Sequence, residues 1–245
     1  MLDMFFLAFV HAFTILLPIF AVQLCNAAAV NAGLTLSRRI WVVGGFATAL
    51  ALWAVVSMEM SRNNLFNVPV TLGDPPSVLI VLFGGALSLW ALSQLTHMGR
   101  RLTNALSNAD LIALQIPRVM GGLFILGWAV GVIPWHFALP AGLGDVWAGL
   151  AAWQAWKAAR VAAPNARQLI LRANIIGMVD FAFAVFFGII TSEGFAHLLA
   201  HDTPNIINLH PLAMFPGYFV PLFLGAHLIS LSRLRQRDPG LSVPA

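Results

Sequence analysis

Two apolar runs separated by a single proline decide the fold of this chain. The sequence reads IALQIPRVMGGLFILGWAVGVI over residues 112–133, continues through Pro134, and reads WHFALPAGLGDVWAGLAAWQAW over residues 135–156. Each run supplies about the 20 apolar residues that a helix needs to cross a bilayer. Because the turn at Pro134 is very short, the two runs are predicted to form an antiparallel hairpin of membrane-spanning helices.

Five further apolar runs extend this interpretation to the whole chain. They cover residues 4–28, 40–58, 77–95, 169–190 and 212–231. Hydrophobic residues make up 60% of the chain and charged residues 9%, whereas an ordinary soluble domain has about 25% charged residues. This composition excludes a soluble enzyme, a disordered chain and a nucleic-acid-binding domain, and the single cysteine, Cys25, excludes an internal disulfide. We therefore predict an all-α polytopic membrane protein: a seven-transmembrane-helix bundle that forms one domain over residues 1–237, followed by a flexible tail over residues 238–245.

The basic residues fall almost entirely on one side of the predicted bundle. Eleven of the 13 lie in the first, third and fifth connections and in the C-terminal segment, whereas only Arg62 lies on the other side. Cytoplasmic loops carry such an excess of basic residues, so we predict an outside N-terminus and a cytoplasmic C-terminus in the bacterial inner (plasma) membrane. The expected partner is the lipid bilayer, and no nucleic acid is expected. The eleven residues are Arg38, Arg39, Arg100, Arg101, Lys157, Arg160, Arg167, Arg172, Arg233, Arg235 and Arg237.

Three ionisable residues lie inside predicted spans: Arg118 in the fourth, Asp145 in the fifth and Asp180 in the sixth. Each costs roughly 2.5–3.5 kcal/mol on insertion scales unless it finds a partner. The arrangement of lowest free energy brings the arginine and at least one aspartate together inside the bundle. One interpretation is a proton-linked or anion-binding site; the other is a structural ion pair that fixes how the helices pack.

Further polar residues are predicted to support this ligand- or proton-binding site. Asn174 precedes Asp180 on the same side of the sixth span, and Tyr218 and His227 belong to the proline-rich seventh span. The leading hypothesis is a proton-linked transporter or binder of a small or lipid-like ligand. Two alternatives stay open: an intramembrane enzyme acting on a lipid or isoprenoid-like substrate, and a non-catalytic subunit of a membrane complex.

The enzyme hypothesis needs a carboxylic general acid, for which Asp180, Asp145 and Glu59 are the candidates. Glu59 and Asp180 resemble, through protein size and topology alone, the paired carboxylates of small seven-span terpene cyclases. That resemblance implies protonation of an isoprenoid epoxide or alkene. The sequence leaves open the substrate, whether there is turnover, and whether the chain forms a homo-oligomer or joins a membrane complex.

Histidines form a second group of candidate residues. His197 and His201 lie four residues apart in the sixth connection, and with His210 and His136 they could bind a divalent metal at the outer face. The alternative is an interfacial helix over residues 194–200 that carries histidines without a metal. Haem is not expected, since His11 and His227 would differ in depth by roughly 12 Å, and the seventh span has no lysine that could bind retinal.

Overall fold

The structure, a computed structural model, describes residues 2–236, and every regular element in that part is a helix. The predicted tail over residues 238–245 lies outside the described residues. The helices are α1 (Leu2–Asn31), α2 (Leu36–Arg62), α3 (Ser77–Leu95), α4 (His97–Ala105), α5 (Asn108–Ala113), α6 (Gly122–Ala129), α7 (Trp135–Arg160), α8 (Ala166–Thr191) and α9 (Val220–Gln236). A 3₁₀ segment (Ile116–Gly121) joins α5 to α6, and a π segment (Phe215–Phe219) leads into α9.

Six helical segments of the described part are long and apolar enough to cross a membrane. They coincide with six of the seven predicted spans: residues 4–31, 36–62, 77–95, 108–129, 166–191 and 215–236. The remaining span corresponds to α7, which is 26 residues long but less apolar. Its glycines, its tryptophans, His136 and Asp145 lower its mean hydropathy.

The fourth predicted span is not one continuous helix. The expected helix over residues 112–133 is replaced by α5, the 3₁₀ segment and α6. Pro117 explains the break, because proline lacks the N–H of the α-helical bond and clashes with the preceding turn. As a result Arg118 lies on an irregular stretch of backbone.

The seventh predicted span is also irregular where it begins. A π segment over Phe215–Phe219 contains Pro216, and the regular helix α9 starts only at Val220. Such π segments are rare, and they occur frequently at functional sites. Two of the segments that were predicted to cross the bilayer thus have non-α backbone next to the bundle centre.

Helix pairing brings the central elements together. α7 packs mainly along α8, α3 packs along α9, and the 3₁₀ segment packs on α7. An apolar cluster that contains Ile112, Ala155, Ile170 and Leu234 joins α5, α7, α8 and α9 at one end of the bundle. We call this the basic end, because Lys157, Arg160, Arg167, Arg172, Arg233 and Arg235 lie on the helices that meet there.

The short amphipathic helix α4 also belongs to the basic end. Thr96 caps it by accepting a hydrogen bond of 2.9 Å from the Gly99 N–H. Its last turn is held by the buried Arg233 of α9, which donates to the carbonyls of Thr103 and, at 3.1 Å, Asn104. An arginine at the last carbonyls of a helix satisfies acceptors that would otherwise lack partners.

Candidate functional site

Arg118 is the centre of a buried polar cluster. Its side chain is fully buried, and its guanidinium lies over the ring of Phe181, with Cζ 3.8 Å from the ring centroid. The Nε donates to Asp145 Oδ1 at 2.9 Å, Nη2 contacts both aspartates, and Nη1 donates to the Gly177 carbonyl at 3.2 Å. Each nitrogen of the guanidinium therefore has a protein partner.

The two carboxyl groups come from neighbouring helices, Asp145 from α7 and Asp180 from α8. Asp145 lies 2.8 Å from Arg118 Nη2 and keeps 16% side-chain exposure, whereas Asp180 is almost completely buried. Within the described residues, Asp180 Oδ1 has no hydrogen-bond partner. The predicted meeting of Arg118 with both aspartates is therefore present, although their role in binding a ligand or proton stays a prediction.

A line of hydrogen bonds extends from Arg118 towards the basic end. Arg118 Nη1 lies 3.1 Å from His227 Nε2, and His227 Nδ1 lies 2.8 Å from Asn174 Oδ1. Because arginine can only donate, His227 Nε2 accepts and the imidazole carries its proton on Nδ1. Asn174 Nδ2 then donates to Ser230 Oγ at 3.0 Å. This fixes a neutral histidine, so the cluster contains one cation and two acids.

Glycines make room for the cluster on both sides. A Cβ at Gly144 of α7 would lie 2.7 Å from Asp180 Cγ, and a Cβ at Gly177 of α8 would lie 2.6 Å from Arg118 Nη1. Both distances are shorter than any normal non-bonded contact of a carbon atom. The close approach of α7, α8 and the 3₁₀ segment therefore depends on the absence of side chains at these positions.

Asp145 also lines an apolar cavity of about 70 Å³, which we call the central cavity. Water needs roughly 10–15 Å³ of such space per molecule, so the cavity can hold several waters or part of an apolar chain. Its wall continues from Asp145 to Val68 and Asn208, which lie in the connections before α3 and before the π segment. Its other lining residues include Phe124, Phe137, Phe181, Ala184, Val185 and Phe215.

Two residues proposed for the site lie apart from it. Tyr218 is buried, but its hydroxyl donates to the Leu50 carbonyl at 3.1 Å and its ring meets Trp53 edge to face. The structure thus places the Tyr218 hydroxyl on α2, and a role of Tyr218 in ligand binding stays a prediction. Glu59 is exposed at the end of α2 and pairs with Arg62 at 3.0 Å, away from the aspartates.

The four histidines of the predicted metal site do not converge. The rings of His197 and His201 lie 4.6 Å apart, His136 stacks on Trp135, and His210 Nδ1 lies 3.1 Å from Ser61 Oγ. Burial, with the positive charge of Arg62, lowers the pKa of His210. Among residues 2–236 no three His, Cys, Asp or Glu side chains are grouped closely enough to hold a metal ion.

The physical reason for this difference is the backbone of the sixth connection. Residues 194–200 form one turn, at residues 195–196, and otherwise irregular backbone instead of the expected interfacial helix. His210 contacts Ser61 of α2. His136 and His201 do line one shared surface pocket with Asp202. His197 instead keeps a buried Nε2 without a partner.

Sequence reasoning missed Ser230 and Phe181, which respectively end the hydrogen-bond line and cover the guanidinium. Ser230 lies three residues after His227, one helical turn away, and Phe181 follows Asp180 directly. The i, i+3 spacing of His227 and Ser230 was a usable signal. Nothing in the sequence separates Phe181 from the other phenylalanines of α8.

The fold and the cluster define an all-helical protein that holds one cation and two acids at its centre. Residues 75–235 match the family described as "Domain of unknown function (DUF8737)". This match covers more than half of the 245 residues, so the chain belongs to that family. The matched segment contains α3 to α8 and all but the last residue of α9, and thus the whole Arg118 cluster. No curated protein and no solved structure matches the chain.

Proposed function

We propose that the chain is a seven-span protein of the bacterial inner membrane with its N-terminus outside and its C-terminus in the cytoplasm. The outward surface of the bundle supports this, because large apolar side chains such as Leu52, Ile80, Trp147 and Phe186 are exposed on four different helices. A soluble protein rarely exposes large apolar side chains on so many of its helices. The basic end supports the orientation. The seventh crossing is α7, which packs along α8 and on the 3₁₀ segment and exposes apolar side chains such as Trp147 on its outer face.

We propose further that the protein binds a small or lipid-like ligand in the central cavity and couples that binding to a proton. The observation that carries this is that two carboxyl groups share the single guanidinium of Arg118, while Asp145 lines the cavity. With His227 neutral, ionisation of both acids would leave an uncompensated negative charge in an apolar interior. Taking up one proton removes that charge, so the proton and the ligand act on the same pair of acids.

Transport and enzymatic acid catalysis both start from this arrangement. In a transporter, a ligand in the cavity would displace or recruit the shared proton of Asp145 and Asp180. In an enzyme, the same proton would pass from Asp145 to a substrate in the cavity. For the enzyme, Asp145 is a better candidate for the general acid than Glu59, because Asp145 lines the cavity and Glu59 is at the surface.

The shared proton is expected to be visible by infrared spectroscopy. Purified wild-type protein at neutral pH should show the carbonyl stretch of a protonated carboxylic acid in an apolar environment. Asp145→Asn should lose this band, because one guanidinium then faces one carboxylate and no proton is needed. Glu59→Gln, which removes an exposed acid, is the control and should keep the band. Absence of the band from folded wild-type protein at neutral pH would contradict the proposal.

The ligand is expected to co-purify with the protein and to be lost when the cavity is filled. Ala184→Trp places an indole into the central cavity, whereas Ala182→Trp, two residues away on α8, places it on the exposed surface. Mass spectrometry of organic extracts should find an apolar molecule enriched with wild type and Ala182→Trp and reduced at least about tenfold with Ala184→Trp, a change equal to 1.4 kcal/mol of binding. Equal amounts with both variants would count against binding in this cavity.

A further inference from the structure

A second and larger cavity lies at the basic end, on the other side of the bundle centre. Its volume is about 420 Å³, within the usual range of small-molecule pockets. It lies between α1 and α2 on one side and α3 and α9 on the other, and α4 and α5 close it at the basic end. We call it the basic-end cavity. Its lining is apolar and includes Leu24, Phe46, Leu89, Leu102, Leu114 and Ile229.

The helix that closes this cavity is amphipathic. Met98 and Leu102 of α4 line the cavity, while Arg100 and Arg101 stand between them in the sequence. A short helix with apolar residues on one face and arginines on the other is typical of a membrane interface. α4 therefore separates the apolar basic-end cavity from a charged surface.

Two of the helices that line the cavity, α2 and α4, carry arginines that are fixed by hydrogen bonds. Arg101 Nη2 donates to the Ala32 carbonyl at 2.8 Å, which ties α4 to the end of α1. Arg39 Nε donates to Asn26 Oδ1 at 2.6 Å, and Asn26 directly follows the cavity residue Cys25. Arg38 and Arg100 lie beside them in the sequence and are exposed.

These arginines carry positive charge that the described residues do not neutralise. Among the side chains that the structure describes, no carboxylate forms an ion pair with any of the four. Asp110 is the acid of α5, and it is engaged with the Ser107 backbone N–H at 2.9 Å and hydroxyl at 2.7 Å. Each guanidinium has five N–H donors, so Arg39 and Arg101 keep donors for an anionic ligand after their protein contacts.

We propose that the basic-end cavity binds one anionic membrane phospholipid, with an acyl chain in the cavity and the phosphate on Arg39 and Arg101. Charge complementarity selects this occupant, because an apolar cavity whose lining helices α2 and α4 carry four arginines, none of them ion-paired among the described residues, fits a chain with an anionic headgroup. The inference rests on the membrane insertion proposed above. It does not depend on the proton at the Arg118 cluster.

Cys25 provides a direct probe, since it lines the cavity and is the only cysteine of the chain. Alkylation by N-ethylmaleimide is measured on full-length protein in detergent, with added phosphatidylglycerol, phosphatidylcholine or no lipid. Phosphatidylglycerol is expected to slow the alkylation more than phosphatidylcholine at equal concentration. sn-Glycerol 3-phosphate, which has a phosphate but no acyl chain, should leave the rate unchanged.

Removing the headgroup contacts is expected to abolish the preference for the anionic lipid. In Arg39→Gln/Arg101→Gln the concentration of phosphatidylglycerol that protects Cys25 should rise roughly fivefold for each arginine lost. Arg160→Gln/Arg172→Gln is the matched control, because it removes the same charge from α7 and α8 at the same end and should behave as wild type. Thermal unfolding of each variant identifies any that fail to fold, and the three-ligand comparison on wild type needs no variant.

Equal protection by the two phospholipids, or protection by sn-glycerol 3-phosphate, would overturn the inference. So would a folded Arg39→Gln/Arg101→Gln variant that keeps the preference. The two proposals fail separately: without the carboxylic acid band but with phosphatidylglycerol protection only the proton-linked function is lost, and the reverse result removes only the lipid site.

Discussion

Arg118→Met is expected to destabilise the protein by about 3–5 kcal/mol, the cost of removing one partner from a buried ion pair. Two acids would then remain in an apolar interior without a cation, and Nη1 and Nη2 would no longer satisfy Gly177 and Asp180. Methionine is chosen because it is apolar and flexible enough to fill the space over Phe181. The measurement is the free energy of unfolding in mixed micelles titrated with a denaturing detergent.

The compensated variant separates a charge effect from a packing effect. In Arg118→Met/Asp145→Asn/Asp180→Asn no charge is left, so most of the lost stability should return. Arg62→Met is the control for arginine removal in general, since Arg62 and Glu59 form an exposed pair that contributes about 0–1 kcal/mol. An Arg118→Met protein as stable as Arg62→Met would mean that the buried cluster does not hold the helices together.

The same set of variants tells a structural cluster from a functional one. If the cluster only fixes helix packing, the compensated triple variant should fold and keep its co-purifying ligand. If Asp145 and Asp180 bind the proton that is linked to the ligand, the triple variant should fold, and its affinity for the ligand should no longer depend on pH. Stability and ligand binding therefore give separate answers from one protein preparation.

Much of the fold could be predicted from the sequence because apolar length is a direct physical requirement of crossing a bilayer. The start and end of α3 agree with the prediction at Ser77 and Leu95. The break at Pro117 was not foreseen, although proline in a helix interior is a known cause of such breaks. In apolar surroundings the neighbouring helices satisfy the freed backbone groups, which length and hydropathy do not reveal.

The centre of the site could be predicted for an energetic reason, and its periphery could not. Arg118, Asp145 and Asp180 are each costly alone in an apolar interior, so their meeting follows from the cost of separation. Tyr218 carries a neutral hydroxyl that any carbonyl can satisfy, and Leu50 of α2 does so. The four outer histidines are likewise not all forced together: His197 and His201 contact each other, whereas His210 bonds to Ser61 of α2 and His136 stacks on Trp135 at the start of α7.

Gly177→Ala is expected to be about as damaging as loss of a charge, although it adds only one methyl group. The added Cβ would lie 2.6 Å from Arg118 Nη1 and closer still to His227 Nε2. Neither group can move aside cheaply, because Arg118 is held by Asp145 and Asp180 and His227 is held by Asn174. We expect a loss of about 3 kcal/mol, at the upper end of typical overpacking costs.

Gly188→Ala is the matched control on the same helix. Its Cβ would meet only Phe137, at an ordinary 3.7 Å, and alanine is favoured over glycine inside a helix by about 1 kcal/mol. Gly188→Ala should therefore leave stability unchanged or raise it slightly, while Gly177→Ala lowers it, when both are unfolded in the same mixed micelles. Helix propensity changes equally in the two variants, so a difference in sign isolates the close approach of α8 to the guanidinium. If both variants were equally stable, Arg118 and His227 would not be packed against Gly177. The hydrogen bonds that link Arg118 to Ser230 through His227 and Asn174 would then need a different arrangement.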